Sequence, residues 1–145
     1  QLAAAPDDPT WLDAVLIDQR VLFWGFTGDP STGDTSATTA MYDPELDLWS
    51  AVPQTNGPIS HANITLGWTG THAIAIGSRL VDVGGGNYRD VPHGRAFSVK
   101  ENKWLAMPSG FHARALPTAC WANGKLYLWG GWIGDGDQVD GTVDI

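Results

Sequence analysis

Acidic side chains with a long reach are scarce here: among 145 residues only two are glutamate, Glu45 and Glu101. Cysteine is scarcer still. Cys120 stands alone, so no internal disulfide can form, and no histidine lies beside it in sequence to activate the thiol. Basic residues number eight against sixteen acidic, a net charge of −8. That balance excludes nucleic acid, which needs a basic stripe to release counterions, and an anionic membrane surface. No apolar run reaches membrane-spanning length, so membrane insertion is not expected. No window sustains the 3.6-residue apolar period of an amphipathic helix. The opening "QLAAAPDDP" lacks the basic start and apolar core of a signal peptide.

What is abundant is punctuation and tryptophan. Eighteen Gly, nine Pro and eight Trp describe strands joined by many turns. With Gly25, Gly77 and Gly130 in register, 52 and 53 residues apart, the runs "RVLFWGF", "HAIAIGS" and "KLYLWGG" coincide. Each begins with Arg20, His72 or Lys125 and carries four apolar residues before its glycine. The turns before them are "IDQ", "TGT" and "ANG", preceded by the column Leu16, Trp68, Trp121. Asn123-Gly124 is a strong type I′ hairpin signal, because both central positions require positive φ. A second column follows in "MYDPELDLW" and "AFSVKENKW", where Tyr42 aligns with Phe97 and Trp49 with Trp104. Between aromatic and Trp lies a polar turn, in which Asp43 can accept from the backbone two residues on. Pro53 and Pro108 then end a fourth strand. Four strands per repeat of about fifty residues is the arithmetic of a propeller blade.

The pattern resembles the kelch repeat, in the bacterial style for "WTGTHAIAIGS" and "TNGP". The resemblance covers Asp13 to Ile145 in three repeats. It implies an all-β fold, a partial kelch-type β-propeller of about two and a half four-stranded blades, near residues 13–53, 64–108 and 117–145, with 1–12 as a leader or linker. The glycine pair is intact only as Gly130-Gly131; it is Gly25-Phe26 and Gly77-Ser78 in the other repeats. By the resemblance these glycines end the second strand where neighbouring blades crowd together. The aromatics Tyr42, Trp49, Trp68, Phe97, Trp104 and Trp121 would fill the space between sheets. Two and a half blades cannot close a ring, so the chain is expected to be a piece of a parent chain carrying the remaining blades, or else to assemble with copies of itself.

Alternate connections of an antiparallel blade lie on opposite faces. The short turns share one face. The other receives long loops, "FTGDPSTGDTSAT", "SRLVDVGGGNYRDVPHG" and "WIGDGDQVDG", with the links "PQTNGPISHAN" and "SGFHAR". Long loops on a rigid scaffold are where binding lives. The candidate binding residues there are His61, Arg79, Tyr88, Arg89, His93, His112, Arg114 and Trp132. Asp135, Asp137 and Asp140 have an oxygen-ligand flavour, but their 1, 3, 6 spacing departs from a calcium loop and an acidic turn is the reading. Four scattered histidines with no HxxxH pair do not make a transition-metal site. "GGGN" at Gly84–Asn87 lacks the lysine and helix of a phosphate loop. No GxSxG, SxxK or Cys–His spacing indicates a nucleophile, and no cofactor is expected. Asn63 opens an N-glycosylation sequon, read as chance.

The expected function is therefore a non-catalytic recognition module binding a protein or glycan through the long-loop face. The alternative is a fragment of a carbohydrate-processing propeller enzyme, of the sialic-acid mutarotase or galactose-oxidase kind. Glu45 and Glu101 fall in short turns of the opposite face and supply it no acid–base pair. A purely structural module within a larger surface protein is the third reading. Acidic charge and the absence of a disulfide are compatible with an extracellular or envelope location.

Overall fold

The computed structural model describes residues 5, 9–29, 31, 34–59, 62–107, 111–133 and 138–139. Every regular element among them is a β-strand, and no helix long and apolar enough to cross a membrane occurs among them. Strands β1 (Thr10–Ile17), β2 (Arg20–Asp29), β3 (Asp34–Asp43) and β4 (Leu48–Ala51) form one antiparallel sheet in sequence order. Strands β5 (Ala62–Trp68), β6 (His72–Gly84), β7 (Asn87–Ser98) and β8 (Lys103–Ala106) form a second of the same topology. A third unit pairs β9 (Thr118–Ala122) with β10 (Lys125–Trp129), followed by the short pair β11 (Trp132–Ile133) and β12 (Gln138–Val139). The described residues are thus all-β, two complete four-stranded blades and part of a third.

The turns form for the reasons their residues suggest. Asn123 (φ 50°) and Gly124 (φ 75°) link the paired residues Ala122 and Lys125 in the type I′ geometry. Asp43 Oδ1 accepts from the amides of Glu45 and Leu46, both at 3.1 Å, and holds the turn before β4. Across that turn the Tyr42 hydroxyl donates to Asp47 Oδ1 at 2.7 Å. That hydrogen bond raises the tyrosine's pKa, because it stabilises the protonated phenol.

Successive strand residues point to opposite sides, so each blade has two faces. Leu22, Trp24 and Met41 on one side of the first blade, with Ile17 and Val52, meet Ile64, Leu66, Ala73, Ala75, Phe97 and Trp104 of the second. Ile74 and Ile76, on the second blade's other side, meet Leu128, Leu126 and Ala119 of the third. The Asp13 carboxylate ties the first pair of blades together, Oδ2 accepting from the Leu66 amide at 2.7 Å and the Thr65 hydroxyl at 3.0 Å.

The first blade's remaining side carries Trp11, Phe23, Tyr42 and Trp49 in mutual ring contact. Trp11 and Trp49 lie nearly parallel, with centroids 5.8 Å apart. Register makes this side equivalent to the covered side of the second blade. Trp11 pairs with Gly25 as Ile64 pairs with Gly77, and Tyr42 with Trp49 as Phe97 with Trp104. Leu16, in the column of Trp68, is 61% exposed there. At the far end Trp129, in the column of Trp24 and Ile76, is 57% exposed.

Three sequence expectations change. The first strand starts at Thr10, and Trp11 packs on Phe23 and Trp49, so Thr10–Leu12 belong to the blade rather than to a leader. They were hard to see because a bulge at Leu12 breaks the alternation. Gly25 and Gly77 do not end their strands; β2 continues to Asp29 and β6 to Gly84. Nor is the crowding between blades. A Cβ on Gly25 would lie 2.1 Å from the Thr10 carbonyl oxygen, and one on Gly77 would lie 2.0 Å from that of Asn63. The close approach is inside the blade, between its first and second strands. Only the third pair ends a strand, Gly130 and Gly131 leaving β10 with φ of 65° and 86°. Third, "SRLVDVGGGNYRDVPHG" is no loop. It is the upper half of a regular hairpin, β6 paired with β7 from His72↔Ser98 to Gly84↔Asn87. "FTGDPSTGDTSAT" is likewise paired as far as Asp29↔Asp34.

Candidate binding face

The β6–β7 hairpin outgrows its own sheet. β5 stops at Ala62, opposite Arg79, and β8 stops at Ala106, opposite Arg95. Beyond those points, among the described residues, no third strand pairs with either outer edge of the hairpin, which turns at Gly85-Gly86, both at positive φ. Leu80, Val83 and Tyr88 on it are more than half exposed, Tyr88 at 60%.

Register divides the hairpin's charges. The pairs Ala75↔Arg95, Gly77↔His93, Arg79↔Val91 and Val81↔Arg89 share one face, the one that lower down carries Ala73 and Phe97 against the first blade. The pairs Leu80↔Asp90 and Asp82↔Tyr88 share the other, where Ser78 Oγ donates to Asp90 Oδ1 at 2.8 Å. Arginines and aspartates of one hairpin thus point away from each other. Among the described residues the ion pair is Lys103–Glu101, at 2.8 Å in an exposed turn, and none involves Arg79, Arg89 or Arg95. Lys103 accordingly holds the Glu101 carboxyl below its usual range.

His93 sits within this arginine face at 3% exposure. Its Nε2 is buried with no hydrogen-bond partner. Burial first, then the positive fields of Arg95 and Arg79, push its pKa down to about 4, so the imidazole is neutral at physiological pH.

Seven of the eight sequence candidates separate into two groups. Arg79, Tyr88, Arg89 and His93 come together on the β6–β7 hairpin, with Tyr88 on the face opposite the other three. His112, Arg114 and Trp132 lie at the passage into the third unit, where Ala115 and Trp132 exchange backbone hydrogen bonds at 2.9 and 3.0 Å. His112 is exposed, and Trp132 is 46% exposed. Arg114 is fully buried and donates from an Nη to the Gly130 carbonyl at 3.2 Å. Arg114 and His93 thus present no surface of their own to a partner, whereas the sequence had placed both on loops. His61 lies outside the described residues, as do Asp135, Asp137 and Asp140. Among the described residues no cluster of three metal-ligating side chains occurs.

Arg95 was missed. The signal was Arg89, His93 and Arg95 at even spacing, which aligns on one face only if the stretch is a strand. On the opposite face of the propeller, an open cleft of about 500 Å³ lies among Asp18, Trp68, Thr71, His72, Lys100 and Glu101. Its walls are tight turns, and its carboxylates include Glu101, already engaged with Lys103.

No protein-family profile matches the chain. Two curated relatives do. Alpha-scruin of Limulus polyphemus is 29% identical over 128 residues, covering 82% of this chain. Beta-scruin of the same animal is 28% identical over 133 residues, covering 90%. The chain spans only 13% and 14% of the length of those proteins. These similarities, with the repeated four-stranded sheets, support a kelch-repeat protein.

Proposed function

We propose that this chain is part of a non-catalytic recognition propeller that binds a protein partner through the face bearing its long hairpins, the remaining blades being supplied by the same parent chain. The observation that carries the reading is the β6–β7 hairpin. It stands clear of its neighbours on a scaffold fixed by two blade-to-blade cores, with Leu80, Val83, Tyr88 and Arg89 exposed. Rigid elements presenting aromatic, aliphatic and arginine side chains have the composition of interface hot spots.

The test is photocrosslinking. A photoreactive amino acid replaces Tyr88 in one sample and Glu45, on the short-turn face, in another, and both are exposed to extract of the source cells. Protein adducts that form from position 88, map reproducibly to one partner and are absent from position 45 are expected. Adducts confined to position 45, or glycan adducts alone at 88, overturn the reading.

A further inference from the structure

Three of the chain's eight lysines and arginines, Arg79, Arg89 and Arg95, share one face of one hairpin in a molecule of net charge −8. Among the described residues none of them has a carboxylate partner. The carboxylates nearest in sequence, Asp82 and Asp90, are turned to the opposite face by strand alternation, and Asp90 is engaged by Ser78. The neutral His93 between Arg95 and Arg79 adds no charge of its own to the strip.

The strip also has a direction. Along the ladder its positions are Arg95, His93, Arg79 (opposite Val91) and Arg89, successive steps of two residues. Each step is ~6.7 Å, and the whole about 20 Å. Phosphate or a single carboxylate calls for guanidiniums converging on one point. Charges set out along a line, Arg95 to Arg79 two steps apart and Arg79 to Arg89 one step apart, match the two-residue repeat of an extended peptide that carries acidic side chains on one side. The strip faces the first blade's side of the molecule. There Phe26 and Ala37, on the face that carries Trp24 and Leu22 below them, continue the β2–β3 hairpin upward without a charge. Asp29 and Asp34 belong to that hairpin's other face.

We infer that Arg79, Arg89 and Arg95 form a binding strip for an extended acidic segment of a partner protein, laid along the β6–β7 hairpin on the side toward β2–β3. The inference rests on the hairpin-face reading above and gives that partner its chemistry. Guanidiniums pair with carboxylates through two parallel N–H···O bonds, which gives such contacts geometry as well as charge.

The experiment is fluorescence anisotropy of the 145-residue chain with a short labelled peptide of alternating Asp and Ser. An Asn-for-Asp peptide and a sulfated oligosaccharide serve as comparisons. The chain's net charge repels the acidic probe, so saturable binding must be local. The expected result is binding of the Asp peptide that weakens with salt and none of the Asn peptide. Arg79→Ala and Arg89→Ala should each weaken it by about tenfold or more, and Arg20→Ala, at the short-turn end of β2, should leave it unchanged. No binding of the Asp peptide, equal binding by the Arg79→Ala and Arg89→Ala variants, or preference for the oligosaccharide would each overturn the inference. If the peptide fails while crosslinks from position 88 still map to one protein, the acidic chemistry is wrong and the hairpin face stands. If crosslinks move to position 45, the face itself is wrong.

Discussion

Asp13 of the first blade accepts the backbone amide of Leu66 in the second at 2.7 Å, and the same oxygen takes the Thr65 hydroxyl at 3.0 Å. This carboxylate is a strut between sheets that otherwise meet through apolar side chains. Its removal leaves a part-buried amide and hydroxyl without their acceptor. Asp13→Ala should cost about 1–3 kcal/mol in urea unfolding. Thr65→Val in the Asp13→Ala background should cost less than in the native chain, because the two share one interaction. Additive losses would show that the strut contributes nothing jointly.

Two buried glycines should respond oppositely to alanine. A Cβ at Gly77 would stand 2.0 Å from the Asn63 carbonyl oxygen, so β5 and β6 must part, and Gly77→Ala should cost roughly 3 kcal/mol or more. At Gly67 the nearest atom to an added Cβ is the Ala119 methyl at 3.5 Å, an ordinary contact. Gly67→Ala should be neutral or stabilise by up to about 1 kcal/mol, through the reduced entropy of the unfolded chain. Thermal melts of the two variants decide it.

His93 makes stability depend on pH. Its folded pKa of about 4 lies below the value of 6.5 for an unperturbed imidazole. Between those values the unfolded chain binds more protons than the folded one, so stability rises with pH through that window and is lost as pH falls from 6.5 toward 4. The contribution approaches roughly 3 kcal/mol at the acid end. His93→Gln should flatten the urea-midpoint profile in this window relative to the native chain. Parallel profiles would show that the imidazole does not titrate against burial.

Arg114 anchors the third unit through the Gly130 carbonyl, next to the paired backbone of Ala115 and Trp132. Arg114→Met should speed hydrogen exchange at the Ala115 and Trp132 amides while leaving β2 and β6 protected, because the loss is local. Uniform acceleration across all strands would instead make the arginine a determinant of global stability.

The blade pattern was legible because it is written in local chemistry. Asn123-Gly124 demands its turn, Asp43 caps its own loop, and the apolar columns before Gly25, Gly77 and Gly130 alternate or run as buried strands do. The role of those glycines was not legible. The Thr10 and Asn63 carbonyls that exclude a side chain belong to backbone on another strand, and no spacing in the sequence reports it. The binding face was half legible. Gly84–Gly86 and Pro92 give the stretch the composition of a loop. Once it is a loop, Arg79, Arg89 and His93 have no common side and Arg95 has no reason to join them. Pairing to β6 creates the alternation, and pairing is a tertiary fact.

The uncovered aromatic side of the first blade and the exposed Trp129 of the third unit carry a consequence for stoichiometry. The two surfaces are unlike: one repeats the character of Phe97 and Trp104, the other that of Trp24 and Ile76. A contact between unlike surfaces is heterologous, so no two-fold axis can relate identical copies through it. Adding blades of this kind, from whichever chain they come, extends a series and presents the same pair of surfaces again after every addition. It stops only when the last surface meets the first.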